Sequence, residues 1–131
     1  MFVTDTHPLL WYINGDNSKL SDRIRDIFAK TKTAETLVYI PAVVFLEIAI
    51  LEKLGRVRLA RRFDQWAEDV LSIDGIELSP LTIDQIHRAT GYGVHRDPFD
   101  NIIVAAAAEL DLPLITKDVA ITESNLVQVC W

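Results

Sequence analysis

Cysteine is almost missing from this chain. Cys130 is the only one in 131 residues, so neither an intrachain disulfide nor a cysteine-built zinc site can form. No apolar run approaches the roughly 20 residues that a bilayer-spanning helix needs. The opening stretch MFVTDTHPLLWYIN has no basic n-region and carries Asp5 early, which does not fit a signal peptide. Both absences lead to the expectation of a cytoplasmic protein with no membrane partner. No Gly/Ser linker, low-complexity tract or internal repeat interrupts the chain, so a single domain over residues 1–131 is expected. A glycine-rich phosphate loop is lacking too, and no serine or cysteine sits in a setting that would make it a nucleophile.

Positive charge is also in short supply. Thirteen Lys and Arg stand against nineteen Asp and Glu, a net charge of −6, which argues against a nucleic-acid binder that works by bulk electrostatics. The distribution is uneven, however. Lys53, Arg56, Arg58, Arg61 and Arg62 fall within ten residues with no acid among them. Such a stripe serves as a solvated helical face, as a flank that holds RNA phosphates, or as a dock for an acidic partner segment, and the sequence does not separate these.

Hydrophobic residues make up 50% of the chain, enough for a core, and they are patterned. Short apolar runs at Phe2–Thr4, Leu37–Ile40, Ile76–Leu78, Leu114–Thr116 and Leu126–Val129 predict strands. Helices are expected from Pro8 to near Gly15, from Ser18 to Thr31, from Pro41 to Gly55, from Arg58 to Leu71, from Thr82 towards Gly91, and over residues 98–111. Strands alternating with helices predict an α/β fold, a parallel sheet with helices on both faces. Sites in such sheets lie outside the carboxyl ends of the strands, which directs attention to Asp5 after the first strand and to Thr116 and Asp118 after the Leu114 strand.

Two more acids stand where apolar residues are expected. In AVVFLEIAILEKL, residues 42–54, Val43, Val44, Ile50, Leu51 and Leu54 make a helical stripe whose missing member is Glu47. A carboxylate in the middle of a buried face must be paired, neutralised or metal-bound; at the edge of the stripe it reaches solvent. In HRDPFDNIIVAAAAEL, Asp97 before Pro98 fits a helix N-cap with proline at N1. Asp100 falls at N3, yet shares a face with Ile103, Val104 and Ala107, so it is expected to point inward. The alanine run Ala105–Ala108 lets this helix lie close to its neighbours. Asp97 is therefore assigned to capping and Asp100 to ligation.

Asp5, Glu47, Asp100 and Asp118 thus converge from strand ends and inward helix faces. Carboxylates gathered in one crevice repel, and a divalent cation holds them ionised at neutral pH. Oxygen donors favour Mg²⁺ or Mn²⁺ over zinc. His7, His87 and His95 lack metal-binding spacing; His7 and His95 are expected as local hydrogen-bonders near the crevice. A carboxylate-held Mg²⁺ suits phosphodiester hydrolysis.

The segments FVTDTHPLLWYI, PAVVFLEIAILEKLGRV, HRDPFDNIIVAAAAELDLPLITKD and VQVCW, in this order, resemble the PIN-domain ribonucleases, specifically the VapC toxins of bacterial toxin–antitoxin pairs. The likeness spans nearly the whole chain. It implies a compact α/β/α sandwich, Mg²⁺- or Mn²⁺-dependent cleavage of RNA, homodimerisation and inhibition by a cognate VapB-like antitoxin. It also implies catalytic and metal-binding roles for Asp5, Glu47, Asp100 and Asp118, with Thr6, Asp97 and Thr116 in support. Arg56, Arg58, Arg61 and Arg62 are candidates for contact with RNA or antitoxin. Two positions depart from the pattern: Asn101 stands where arginine is common after DPFD, and Leu46 where tryptophan often precedes the glutamate. Neither removes an acid; both bear on substrate preference or antitoxin fit.

Rival functions belong to other classes. A response-regulator receiver needs paired acids after the first strand and a phosphoacceptor on a mid-chain strand end, whereas here Asp5 stands alone. A haloacid-dehalogenase-type phosphatase needs a second aspartate two residues on, where this chain has His7. The remaining alternative is a non-catalytic or regulatory metal-binding α/β module, such as an antitoxin-partner subunit; the intact acid set argues against it.

Overall fold

Apolar runs too short for helices become strands here because both of their faces are covered. A computed structural model describes residues 1–94 and 96–131. Its strands are β1 (Phe2–Thr4), β2 (Val38–Pro41), β3 (Ile76–Ser79), β4 (Leu114–Ile115) and β5 (Val129–Cys130). They form one all-parallel sheet in the order β3-β2-β1-β4-β5. Val3, Val38, Ile40, Leu114 and Ile115 have no solvent exposure, as a two-sided parallel sheet requires.

Seven α-helices flank the sheet among the described residues: α1 (Thr6–Ile13), α2 (Asp22–Thr31), α3 (Ala42–Lys53), α4 (Phe63–Leu71), α5 (Ile83–Gly91), α6 (Pro98–Leu110) and α7 (Val119–Ser124). The α/β/α arrangement expected from the sequence is the one observed. Helix α6 packs against α3, α5 and β1. Ala105, Ala106 and Ala107 are wholly buried in it, small enough to admit that close approach. No helix among the described residues is long and apolar enough to cross a membrane.

Several boundaries move, each for a local reason. Helix α1 starts at Thr6, not Pro8, because Asp5 caps it. The single helix expected from Ser18 is a 3-10 turn, Asn17–Lys19, followed by α2, whose first turn is capped by the Ser21 hydroxyl accepting from the Ile24 N–H. The helix expected from Arg58 begins at Phe63, so the arginine-rich run lies in the connection before α4. Strand β4 stops at Ile115, and β5 is Val129–Cys130 instead of Leu126–Val129. Helix α7, between them, has no counterpart in the sequence expectation.

The α3 stripe needs a correction too. Val43, Val44, Phe45 and Ile48 are buried, whereas Leu46, Ile50 and Leu54 are 52%, 37% and 61% exposed. Glu47 therefore sits half-exposed at the edge of the core face, not in its middle. Gly75, ahead of β3, is a forced choice. Its N–H donates to the Thr31 carbonyl at 2.8 Å, and a Cβ there would run into the backbone of Thr31 and Thr36.

Candidate active site

The strand order reverses at β1: β2 and β3 lie to one side, β4 and β5 to the other. A crevice opens at such a switch point, beyond the carboxyl ends of the strands. Register decides what meets there. Val3 pairs with Leu114 and Thr4 with Ile115, so Asp5 and Thr116 leave the sheet side by side. The Thr116 hydroxyl donates to Asp5 Oδ2 at 2.7 Å, and the same hydroxyl oxygen accepts from the Asp118 N–H at 3.1 Å.

Each acid is placed by a local backbone need. Asp5 Oδ1 accepts from the Thr6 N–H at 2.6 Å at the start of α1. Asp118 Oδ1 accepts from the Ile121 N–H at 2.8 Å at the start of α7. Asp97 Oδ1 accepts from the Phe99 N–H at 2.9 Å, with Pro98 at the first helical position of α6. Asp100 follows one turn in, half-buried, on the face whose Ile103, Val104 and Ala107 are wholly buried. The Thr6 hydroxyl donates to Glu47 Oε2 and ties α1 to α3.

A cavity of about 420 Å³ gathers Asp5, Glu47, Asp97, Asp100 and Asp118 along its wall. The four acids expected to converge do so, and Asp97 joins them from an exposed position. The Thr6 hydroxyl donates to Glu47 and the Thr116 hydroxyl to Asp5. His7 lines the cavity, His87 is exposed on α5, and His95 lies outside the described residues. Pro8, Trp11 and Lys117 also line it, and sequence reasoning missed them. The available signals were slight: Trp11 stands one helical turn beyond His7, and Lys117 immediately precedes an acid.

Burial raises the pKa of Asp5 above the ordinary carboxylate value; the Thr116 hydroxyl, the Thr6 N–H and His7 oppose this, and the charge of Asp118 adds to it. Burial also raises that of Glu47, against the Thr6 hydroxyl, with Asp5 and Asp97 adding their charge and His7 opposing. Such an environment resists full ionisation unless a cation is supplied. Among the described residues, no three His, Asp or Glu side chains stand grouped to grip an ion as they lie. The donor chemistry nonetheless fits a hard cation: the acids are oxygen donors, and a carboxylate oxygen that caps a helix keeps a second lone pair.

The basic stripe lies elsewhere. Arg58 borders a recess beside Ile13 and Asn14, at the far end of α1 from Asp5, roughly 12 Å along an eight-residue helix. Arg61 pairs with Asp69 and Arg62 with Asp64, both exposed. Arg56 and Lys53 are exposed as well.

A parallel sheet with acids collected at its switch point describes a doubly wound α/β domain with an acidic crevice. Within that class the family can be stated: the PIN-domain model matches residues 2–123, and the chain belongs to the PIN-domain family. Solved structures agree on the fold. VapBC2 from Rickettsia felis, bound to a DNA fragment from its promoter, superposes with a TM-score of 0.69 at 12% identity, covering 98% of this chain and 96% of that one. FitAB bound to an IR36 DNA fragment gives 0.60 at 15% identity, covering 99% and 94%. A comparison with curated proteins finds no match.

Proposed function

We propose that this chain is a divalent-metal-dependent endoribonuclease and the toxin of a toxin–antitoxin pair. The observation that carries this is the convergence of acids from β1, α3, α6 and the β4–α7 junction on one cavity at the sheet switch point. Membership of the PIN family supports a nuclease, and the fold likeness to VapBC2 and FitAB supports a toxin that works with an antitoxin.

Asp5, Glu47, Asp100 and Asp118 would hold the ion. Mg²⁺ or Mn²⁺ bound there supplies an activated water and offsets phosphate charge in the transition state. The protein's own groups keep the acids in place. Thr116 fixes the outer oxygen of Asp5 and, through its acceptor side, the turn carrying Asp118. Thr6 aims Glu47 from across the crevice. Asp97 holds the first turn of α6, and with it the direction of Asp100. Lys117, next to Asp118 on the cavity wall, offers a cation to a substrate phosphate.

Incubating purified protein with RNA in Mg²⁺ or Mn²⁺ and in EDTA tests this, with cleavage sites mapped by primer extension. Metal-dependent cuts that vanish in Asp5→Asn support it. RNA that survives both ions, with a folded protein, rejects it.

The partner surface has its own support. Leu46, Ile50 and Leu54 form an exposed apolar row along α3, one turn apart. Leu46, where the family pattern often has tryptophan, faces outward. A second copy of the chain or an antitoxin would cover this row. Size-exclusion chromatography with light scattering of wild type and Leu46→Glu, each expressed alone and together with any small reading frame that adjoins the gene, separates the two.

A further inference from the structure

One wall of the acid cavity is aromatic. His7 and Trp11 lie a turn apart on α1 and both line it, with ring centroids 5.8 Å apart. Trp131 meets Trp11 edge-on at 6.2 Å and 76°. Lysines sit over these rings: Lys19 Nζ is 5.9 Å from the centroid of Trp11, and Lys117 Nζ is 5.7 Å from that of Trp131. Both tryptophans rest on the core and are only half-buried, and His7 is exposed. Lys117 closes the circuit, since it lines the cavity beside Asp118.

We propose that His7, Trp11 and Trp131, flanked by Lys19 and Lys117, form a stacking platform for unpaired bases of single-stranded RNA beside the scissile phosphate. This rests on the ribonuclease proposed above. Charge makes the need plain. The cavity wall carries five carboxylates and, among the described residues, one lysine, in a protein of net charge −6. Coulombic attraction alone would not bring a polyanion there, and salt-independent attraction has to come from another source. Base–aromatic stacking supplies it and tolerates any sequence, because every base has a π face. A base that stacks on either ring displaces the lysine above it, and the freed ammonium then meets the strand's phosphates. A duplex, whose bases already stack on each other, cannot use such a wall.

The test uses a 2′-O-methyl oligonucleotide, which cannot be cut by its own 2′ oxygen, titrated in EDTA and read by intrinsic tryptophan fluorescence. Trp66, the third tryptophan, is 4% exposed and serves as a silent background. Single strands should quench; the same sequence as a duplex should not. Trp11→Leu should weaken binding about tenfold, Trp11→Phe should recover most of it, and His7→Ala should weaken it less. Lys117→Gln should lower the salt slope by about 0.7, the value for one single-strand phosphate. Trp131→Leu decides the matter if Trp11→Leu fails to fold. Wild-type affinity in the folded leucine variants, or equal binding of duplex and single strand, overturns the platform. Cleavage in Mn²⁺, measured separately on wild type, keeps the two proposals apart. Cleavage without stacking sinks only the platform, and stacking without cleavage sinks the nuclease and leaves an RNA-binding wall with no scissile phosphate beside it.

Discussion

Replacing Asp5 by asparagine changes one charge and almost no volume, and the protein should answer differently with and without a divalent ion. Without metal, the introduced asparagine keeps an oxygen for the Thr6 N–H but turns an amide towards Thr116, whose hydroxyl already receives the Asp118 N–H. The Thr116 proton loses its acceptor. One hydrogen bond traded this way is worth about 1 kcal/mol net, and relief of a buried charge acts in the opposite direction. At about 3.5 °C per kcal/mol for 131 residues, the metal-free midpoint should move by less than about 4 °C. With Mn²⁺ at about 100 times its Kd, wild type should gain about 2.7 kcal/mol, or about 10 °C, by mass action. The variant should lose most of that gain. pH adds a signature. The folded pKa of Asp5 is raised, so its contribution is favourable while the acid is neutral and is lost as pH rises through that pKa. In EDTA, wild type should therefore lose ground to Asp5→Asn as pH rises from the ordinary carboxylate range through that raised pKa; in Mn²⁺, it should gain. Differential scanning fluorimetry across pH, with and without the ion, reads both. An undiminished metal-induced rise in Asp5→Asn would refute the site, and a metal-free loss near 10 °C, roughly three times that of one hydrogen bond, would make Asp5 a structural residue.

The acids of α6 should divide their labour. Asp97→Ala should cost about 1 kcal/mol through the lost cap, Asp97→Ser should keep the fold and much of the metal affinity, and Asp100→Ser should abolish cleavage with little effect on melting. If calorimetry finds metal binding lost equally in both serine variants, both acids are ligands. Charge reversal at Arg58, Arg61 and Arg62 should flatten the salt dependence of RNA binding while leaving turnover at saturating RNA; an unchanged slope assigns the stripe to solvent or to a protein partner. Gly75→Ala should destabilise by about 1–3 kcal/mol, since its Cβ meets backbone and not a flexible side chain. A denaturant midpoint equal to wild type would show that the loop yields.

The acids were legible because each breaks a local pattern: Asp5 ends an apolar run, Asp100 sits on an apolar face, and Asp97 precedes a proline. The caps of α5 and α6 and the helix stop at Gly55 were legible for the same reason. Helix α7 was not, since six residues with only Ile121 buried carry no periodicity. The Arg58–Arg62 run reads as helical by continuation from Phe63, yet Arg62 is extended at ψ 146° and carries no capping side chain. Ile50 and Leu54 misled because an apolar row signals burial whether another part of the chain or a separate molecule covers it. Trp11 and Lys117 reach one cavity only through the β1–β4 pairing, which no local stretch encodes.

Three of the acids also start helices, through the N–H groups of Thr6, Phe99 and Ile121, while none of these helix-start bonds involves Glu47. The two sets have different evolutionary fates. On the proposed site, losing a starter acid would cost activity and weaken a helix start together. On the same proposal, a change at Glu47 would cost activity and leave those three helix starts intact. Inert descendants that persist in a genome, still able to occupy whatever partner the active form occupies, should therefore carry their lesion on α3 before they carry it at a cap.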